Sequence, residues 1–495
     1  MPGDAEGPES SYVLARRLFL RLLAAVYLIA FASLAVQVSG LLGEHGILPA
    51  GRYLEWARSL QGGRAYLLLP TLFWFGAGDT ALRLVAWGGA LLAAVALAGP
   101  ATAPVFALLW VLYLSLTTVG QEFLSFQWDA LLLEAGLLAC FYAPVRWWPG
   151  RAQSAPSPLA RWLVLWLLFR LMFLSGATKL LSGDPTWRHL TALDYHFETQ
   201  PLPPWTAWYA HHLPGGVHRA ATLGMFAVEL LVPWLVLAPS RARPLRLAAF
   251  ALLVLFQLSI AATGNYGFFN LLTVVLCLPL LDDAALGRVL PVRVRVEPRV
   301  SDLRRRVMLG VVPVILLLTG LSLVRELAYT LPAGRGLGLV PAWGERLLEA
   351  VAPFRSFNGY GLFRVMTTER PEIVIEGSRD GREWKEYEFR WKPGAVGRRP
   401  RFVAPYHPRL DWQMWFAALD PVGAAPWLRR LMEQLLAGTP EVLSLLDGNP
   451  FPDSPPRYIR LAYYHYRFSS PAERARTGAW WVRELAGYLT EPDSR

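Results

Sequence analysis

Apolar residues along this chain fall into two regimes that change near residue 330. From Val13 to about residue 327 they gather in runs of roughly 17 or more, each near the length that crosses a ~30 Å hydrocarbon core at 1.5 Å per residue. Nine such runs are predicted as membrane helices: 13–39, 80–99, 101–119, 122–143, 160–182, 219–239, 245–263, 266–282 and 307–327. The apolar stretch from Tyr66 to Phe75 is short and reads as an interfacial or re-entrant piece. The first run, Val13 to Val38, is too long for a cleaved signal peptide and is kept as a span.

Beyond residue 330 the period shortens. The segment EIVIEGSRDGREWKEYEFRW, from Glu372, places two alternating runs around Asp380-Gly381, a pair suited to a tight β-hairpin. Tyr458 to Phe468 reads as another strand. Helices are expected around Trp412–Leu419 and Trp427–Leu436, and a helical tail would put Trp480, Trp481, Leu485 and Leu489 on one face. The fold class is therefore a polytopic α-helical membrane domain (13–329), preceded by a short tail (1–12) and followed by a soluble, β-rich α+β domain (330–495).

Charge sharpens this reading. The net charge of +11 comes from 48 basic against 37 acidic residues, and only Lys179, Lys385 and Lys392 are lysines. In a soluble protein such a balance suggests nucleic acid, but here the arginines cluster between apolar runs: Arg16, Arg17 and Arg21; Arg146, Arg151 and Arg161; Arg241, Arg243 and Arg246; and the run from Arg288 to Arg306. Positive loops stay cytoplasmic. With nine crossings all four clusters share one face, and loops 40–79 and 183–218, with the C-terminal domain, lie on the other. The bilayer is thus the expected partner, and nucleic acid is not. Cys140 and Cys277 both lie in apolar runs, which removes thiol–disulfide exchange from the soluble domain.

Few residues offer chemistry. Lys179 is the sole lysine of the membrane half, and Asp129, Glu134 and, at a helix mouth, Glu122 could supply its carboxylate partner. A structural ion pair between helices outweighs a catalytic base. Loop 183–218 holds His189, His196, His211, His212 and His218. Asp194, His196 and Glu198 would aim at one metal if that segment were extended, but Trp205, Trp208 and Tyr209 beside prolines favour an interfacial aromatic belt, and no metal or cofactor is expected. Glu229 and Gln257 read as lone inter-helix hydrogen-bonding groups, and Arg325 as a snorkelling residue. In the soluble domain Tyr406, His407, Arg409, Asp411, Trp412 and Trp415 form the densest cluster: either a client-binding face rich in aromatic and arginine anchors, or packing residues with Asp411 capping a helix. A serine elbow, a phosphate loop, HExxH and paired cysteines are all missing from the sequence, which argues against an ordinary hydrolase, kinase or metalloprotease.

Several segments resemble the lipase maturation factor family: FRSFNGYGLFR (354–364), WKPGAVGRRPRFVAPYHPRLDWQMWFAALD (391–420), FLSFQWDALLLEAG (123–136), SGATKLLSGDPTW (175–187), YHFETQPLP (195–203) and NYGFFNLLT (265–273). The resemblance implies a non-enzymatic membrane protein of the endoplasmic reticulum whose lumenal domain helps secreted lipases fold and assemble. Its partners would be client lipases or other secreted proteins. A bacterial member would sit in the plasma membrane. More distantly, the membrane half is similar to vitamin K-dependent carboxylases. That likeness places Lys179, in Gly176-Ala-Thr-Lys179-Leu180 ahead of Trp187, where those enzymes keep the base that deprotonates a reduced quinone. Phe126-Gln127-Trp128-Asp129 lacks their histidine, so that activity is not expected to be inherited. A membrane enzyme acting on a quinone or lipid, with Lys179 as base and Asp129 and Glu134 nearby, is the alternative function; a transporter ranks third, since the chain shows no repeated halves.

Overall fold

Prolines and glycines punctuate the apolar runs and set where each helix begins and ends. The computed structural model describes residues 11–145, 152–239, 241–288, 295–297, 302–331, 336, 338–489 and 493–494. Its membrane half contains α1 (Val13–Ala35), α2 (Asp79–Ala98), α3 (Ala103–Val119), α4 (Gln127–Tyr142), α5 (Pro158–Leu181), α6 (Gly215–Leu230), α7 (Arg243–Thr263), α8 (Phe269–Cys277) and α9 (Asp302–Thr330). Pro158 and Pro244 stand in the first turns of α5 and α7, where a missing N–H is harmless, and Gly99 and Gly264 follow the last turns of α2 and α7.

Every predicted span contains one of these helices, but they are not all of spanning length. Among the described residues six are long and apolar enough to cross a bilayer: α1, α2, α5, α7, α9, and α6 taken with its continuation to Val236. α3, α4 and α8 hold 17, 16 and 9 residues. At 1.5 Å per residue they reach roughly 25 Å or less. The predicted span 122–143 loses its start because Gln121–Leu124 forms a 3-10 turn and Phe126 is extended; 266–282 is shortened by left-handed Gly267 (φ +54°) at one end and by Pro279 at the other.

The described residues of the predicted arginine clusters and the second domain occupy opposite ends of the helix bundle. At one end Arg21 donates to Ala98 O (3.2 Å), Arg161 to Pro279 O (3.0 Å) and Arg304 to Ala143 O (3.0 Å), while Arg243 pairs with Asp282 (3.1 Å). Asp283 caps α1 there, accepting from the N–H groups of Val13, Leu14 and Ala15. Arg146, Arg151, Arg293, Arg299 and the first ten residues of the expected tail lie outside the described residues.

At the other end sits a small antiparallel sheet with helices on it. β1 (Arg370–Ser378), β2 (Lys385–Tyr387), β3 (Tyr458–Phe468) and β4 (Trp481–Tyr488) pair in the order β2-β1-β3-β4, with Ile375 opposite both Tyr387 and Leu461. α10 (Arg409–Leu419) and α11 (Pro421–Ala437) connect the two halves of the sheet. The predicted β3 and both helices are found. The hairpin also forms, but not as a tight turn: the ladder closes at Gly377 and Lys385, and Asp380 caps the intervening loop by accepting from Arg382 N and Glu383 N. The expected helical tail is instead β4. Gly478 (φ +71°) ends the short helix Pro471–Thr477, and Trp481 then pairs with Phe468, their rings stacked at 4.3 Å. Arg325, expected to snorkel, reaches Glu345 at 3.7 Å.

One apolar core runs through both halves, from Phe19 and Tyr27 of α1 through Leu131 of α4 to Trp412, Leu431 and Ile459. The second domain is thus built into the bundle rather than tethered to it.

Candidate functional site

The most chemically dense region is the joint between the halves, where four sets of buried charges meet. Trp128 and Asp129 stand in the first turn of α4, and the segment 407–412 lies against them. Arg409 donates from Nη1 to Asp129 Oδ2 (2.8 Å) and from Nη2 to Asp129 Oδ1 (2.8 Å), and again from Nη1 to Phe123 O (2.7 Å). Tyr113 of α3 donates to the same carboxylate. Such a two-pronged guanidinium–carboxylate contact is the strong form of the charge-assisted bond. Burial alone would lower the Arg409 pKa, but Asp129 outweighs it and raises it, so the cation persists. Ser33 and Gln37 of α1 hold the backbone on both sides: Ser33 accepts from His407 N (2.9 Å) and Gln37 Oε1 from Arg409 N (2.9 Å).

The second set lies deeper. Arg170, in the middle of α5, pairs with Glu134 of α4 and donates to Asn358 O (2.8 Å), and Tyr360 donates its phenol to Glu134 (2.7 Å). The FNGYG segment reaches in because it lacks side chains at two points. A Cβ on Gly359 would fall 2.7 Å from Glu326 Oε2, and one on Gly361 2.5 Å from Glu326 Oε1.

The third set opens the sheet. Arg370 of β1 shares Glu372 (2.8 Å) with Lys392 (2.8 Å), and its guanidinium also donates to Glu198 O (2.7 Å) and Pro201 O (2.9 Å) of loop 183–218. Trp415 donates to Thr199 O (2.9 Å) and Trp208 to Ser469 O (2.8 Å), so indole N–H groups sew the same loop to the domain.

Lys179 belongs to the fourth set. Its ammonium donates to both oxygens of Glu229 on α6 (2.8 and 2.7 Å) and lies 5.4 Å from the Trp187 ring. Gly176 permits this approach, since a Cβ there would meet Glu229 Cβ at 2.9 Å. Asp184 accepts from Thr186 N (2.7 Å) and Met366 N (2.6 Å), and Trp187 donates to Phe363 O (3.0 Å). Within the SGATKLLSGDPTW segment, Asp184 and Trp187 thus dock residues 363–366, while Gly176 and Lys179 face α6.

The structure separates the residues that the sequence grouped. Neither Asp129 nor Glu134 serves Lys179; Arg409 and Arg170 take them, and Glu229, read as a lone polar group, is the lysine's partner. Of the six client-face candidates, His407, Arg409, Asp411, Trp412 and Trp415 are buried and Tyr406 is partly buried. Of these side chains only Tyr406 keeps some exposure. Asp411 does not cap α10: its carboxylate accepts from Trp391 N (2.8 Å) and Lys392 N (2.9 Å), and burial lifts its pKa to about 6. Trp412 packs edge-on against Trp128, with centroids 4.8 Å apart, rather than on the sheet.

Residues 192–199 form a helix, so Asp194, His196 and Glu198 cannot aim at one point as an extended segment would. Asp194 binds His218 (2.7 Å), His196 meets Tyr266 (3.2 Å), and Glu198 accepts from Phe468 N (2.7 Å). Among the described residues no group of three His, Cys, Asp or Glu is placed to hold a metal. Arg170 and Arg370 are buried charges of the joint that the sequence reading missed. For Arg170 a signal existed: a single arginine midway along an apolar run cannot reach water and demands a buried acid.

This geometry defines a class: a polytopic helical membrane protein whose α+β domain is fastened into the bundle by buried ion pairs. The lipase maturation factor transmembrane domain matches residues 14–288, and the lipase maturation factor C-terminal domain matches 356–490. The chain is 40% identical to lipase maturation factor 2 of Homo sapiens, covering 95% of this chain and 81% of that protein. It is 36% identical to lipase maturation factor 1 of Bos taurus, covering 98% and 90%. This chain belongs to the lipase maturation factor family, as its motifs indicated. No solved structure matches it.

Proposed function

We propose that this chain is a membrane-anchored maturation factor that helps secreted lipases fold and assemble, acting without catalysis of its own. The observation that carries this is the match of both halves, membrane and C-terminal, to relatives named for lipase maturation. The domain after residue 330 lies on the non-cytoplasmic side, in the endoplasmic reticulum or, in a bacterial host, at the plasma membrane. The arginine-lined end of the bundle, opposite that domain, is the support for this orientation.

The cluster from Tyr406 to Trp415 serves the client indirectly. It fixes α10 against the bundle, and the outer edge of α10 and α11 then presents Phe416, Leu419 and Val422 to solvent. An apolar edge held rigidly in this way can cover exposed apolar surface on an unfinished subunit without ATP. Reading Lys179 as a catalytic base has less support, because both Glu229 oxygens occupy its ammonium.

The test is complementation. In cells that lack their own maturation factor and express a secreted lipase, this chain should restore active enzyme in the medium, and Phe416→Ser/Val422→Ser should not. Inactive lipase despite normal levels of the intact chain rejects the proposal.

A further inference from the structure

A shallow cleft lies where the WKPGAVGRRPR segment passes over Pro203, and it is strongly basic. Two of its cations are already neutralised: Lys392 by Glu372 (2.8 Å), and Arg398 by Glu388 and Asp447 (3.4 Å each). Arg390 spends its donors on the carbonyls of Ser444 and Leu446 (2.8 Å each). Arg399 and Arg401 have no carboxylate partner among the described residues, and both are exposed. The Arg399 guanidinium sits over the Trp205 ring (4.6 Å) and near that of Trp480 (5.9 Å), contacts that orient it while leaving N–H groups open.

The position of the cleft names its ligand. Asn265, two residues beyond the end of α7, donates to Arg401 O (2.9 Å) and to Leu202 O (3.0 Å), and its Oδ1 accepts from Val403 N (2.9 Å). The floor of the cleft is therefore one hydrogen bond from the end of a membrane helix. Along that helix Leu252, Leu255 and Leu258 are exposed, which makes its outer face lipid-facing. Trp205 and the exposed Phe402, centroids 6.1 Å apart, sit at the same level, where aromatic rings anchor proteins to the headgroup layer.

We propose that this cleft binds the phosphate of an anionic membrane lipid, with Arg399 and Arg401 as its ligands and the acyl chains running down α7. A surface arginine contributes on the order of a fivefold gain in affinity for an anionic headgroup. The site would fix the height and tilt of the second domain on the bilayer, independently of any client.

Native mass spectrometry of the full chain in non-ionic detergent tests this, with dioleoyl phosphatidylglycerol, dioleoyl phosphatidylcholine and inorganic phosphate as probes. Phosphatidylglycerol should bind in preference to phosphatidylcholine. Arg399→Gln/Arg401→Gln should weaken its binding about fivefold for each arginine lost, and Arg399→Lys/Arg401→Lys, which keeps the charge, should retain most of it. Equal phosphatidylglycerol occupancy in the wild type and a folded Gln variant overturns the proposal. So does indifference between the two lipids, and displacement of the lipid by equimolar inorganic phosphate assigns the cleft to a free anion instead. If the Gln variant does not fold, weak phosphatidylglycerol binding by the Lys variant counts against the proposal in the same way.

Discussion

Arg409 and Asp129, 280 residues apart in sequence, meet in a two-pronged buried ion pair with both contacts at 2.8 Å. One partner belongs to the C-terminal family domain and the other to the membrane domain. Cutting the chain near residue 330 would therefore strand Asp129 without Arg409 and deprive Glu134, still paired with Arg170, of the Tyr360 phenol, so truncation is a poor way to assign roles to the two halves.

The Lys179–Glu229 pair separates structure from chemistry. Lys179→Met leaves a buried carboxylate uncompensated, which should cost about 3–5 kcal/mol. Adding Glu229→Leu removes the orphaned charge, and the double variant should regain stability to within about 1 kcal/mol together with its lipase-directed activity. A stable double variant that stays inactive would identify Lys179 as a chemical group.

Close backbone approach at the FNGYG segment makes a sharp steric prediction. Gly361→Ala puts a methyl 2.5 Å from Glu326 Oε1 and 3.1 Å from Thr178 Cγ2. It should destabilise by about 1–3 kcal/mol in thermal unfolding. Gly224→Ala, in α6 with nothing within 4 Å of the new methyl, should be neutral or stabilising. Equal effects at the two positions would show that the segment does not dock as described.

Acid should loosen the domain. Burial, helped by the Lys179 ammonium, pushes His196 down to about 4; burial with neighbouring His212 and His218 pushes His211 to about 4; and burial beside Arg409 holds His407 well below the ordinary histidine range. Below about pH 6.5 the unfolded chain takes up protons that these folded histidines refuse, so stability present at neutral pH is lost as pH falls toward 4. Asp411, raised to about 6, works the other way, gaining stability over the same interval. Burial raises the Glu198 carboxyl in the same sense; three histidines outweigh these two carboxyls, and the melting temperature should drop between about pH 7.5 and 4.5. His196→Gln should shrink the drop and Asp411→Asn should enlarge it. A melting temperature that rises on acidification contradicts this assignment.

Much of the fold was legible because lipid imposes a length on every apolar run and a sheet imposes alternation. Tyr458–Phe468 was read to the residue, and each predicted span contains a helix. The tail misled because Trp481 and Leu485 satisfy a helical spacing as well as a strand's alternation; the stacking of Trp481 on Phe468, a tertiary contact, decides between them. Asp129, Glu134 and Lys179 were recognisable as costly buried charges. Their partners were not, since a carboxylate declares its need for a cation but not which of 48 basic residues will meet it. The dense cluster from Tyr406 to Trp415 was visible for the same reason, yet the amphipathic character that suits an exposed binding face suits an internal joint equally well.

A double-mutant cycle on Asp129 and Arg409, read by thermal unfolding of the full chain in detergent, tests the central claim that the two halves are one body held by buried charge. Asp129→Leu and Arg409→Met should each cost about 3–5 kcal/mol, while the pair together should cost no more than about 2 kcal/mol, the residue being the lost Tyr113 and Phe123 contacts. Additive losses, or single variants that melt like the wild type, would mean that the domain does not depend on this joint.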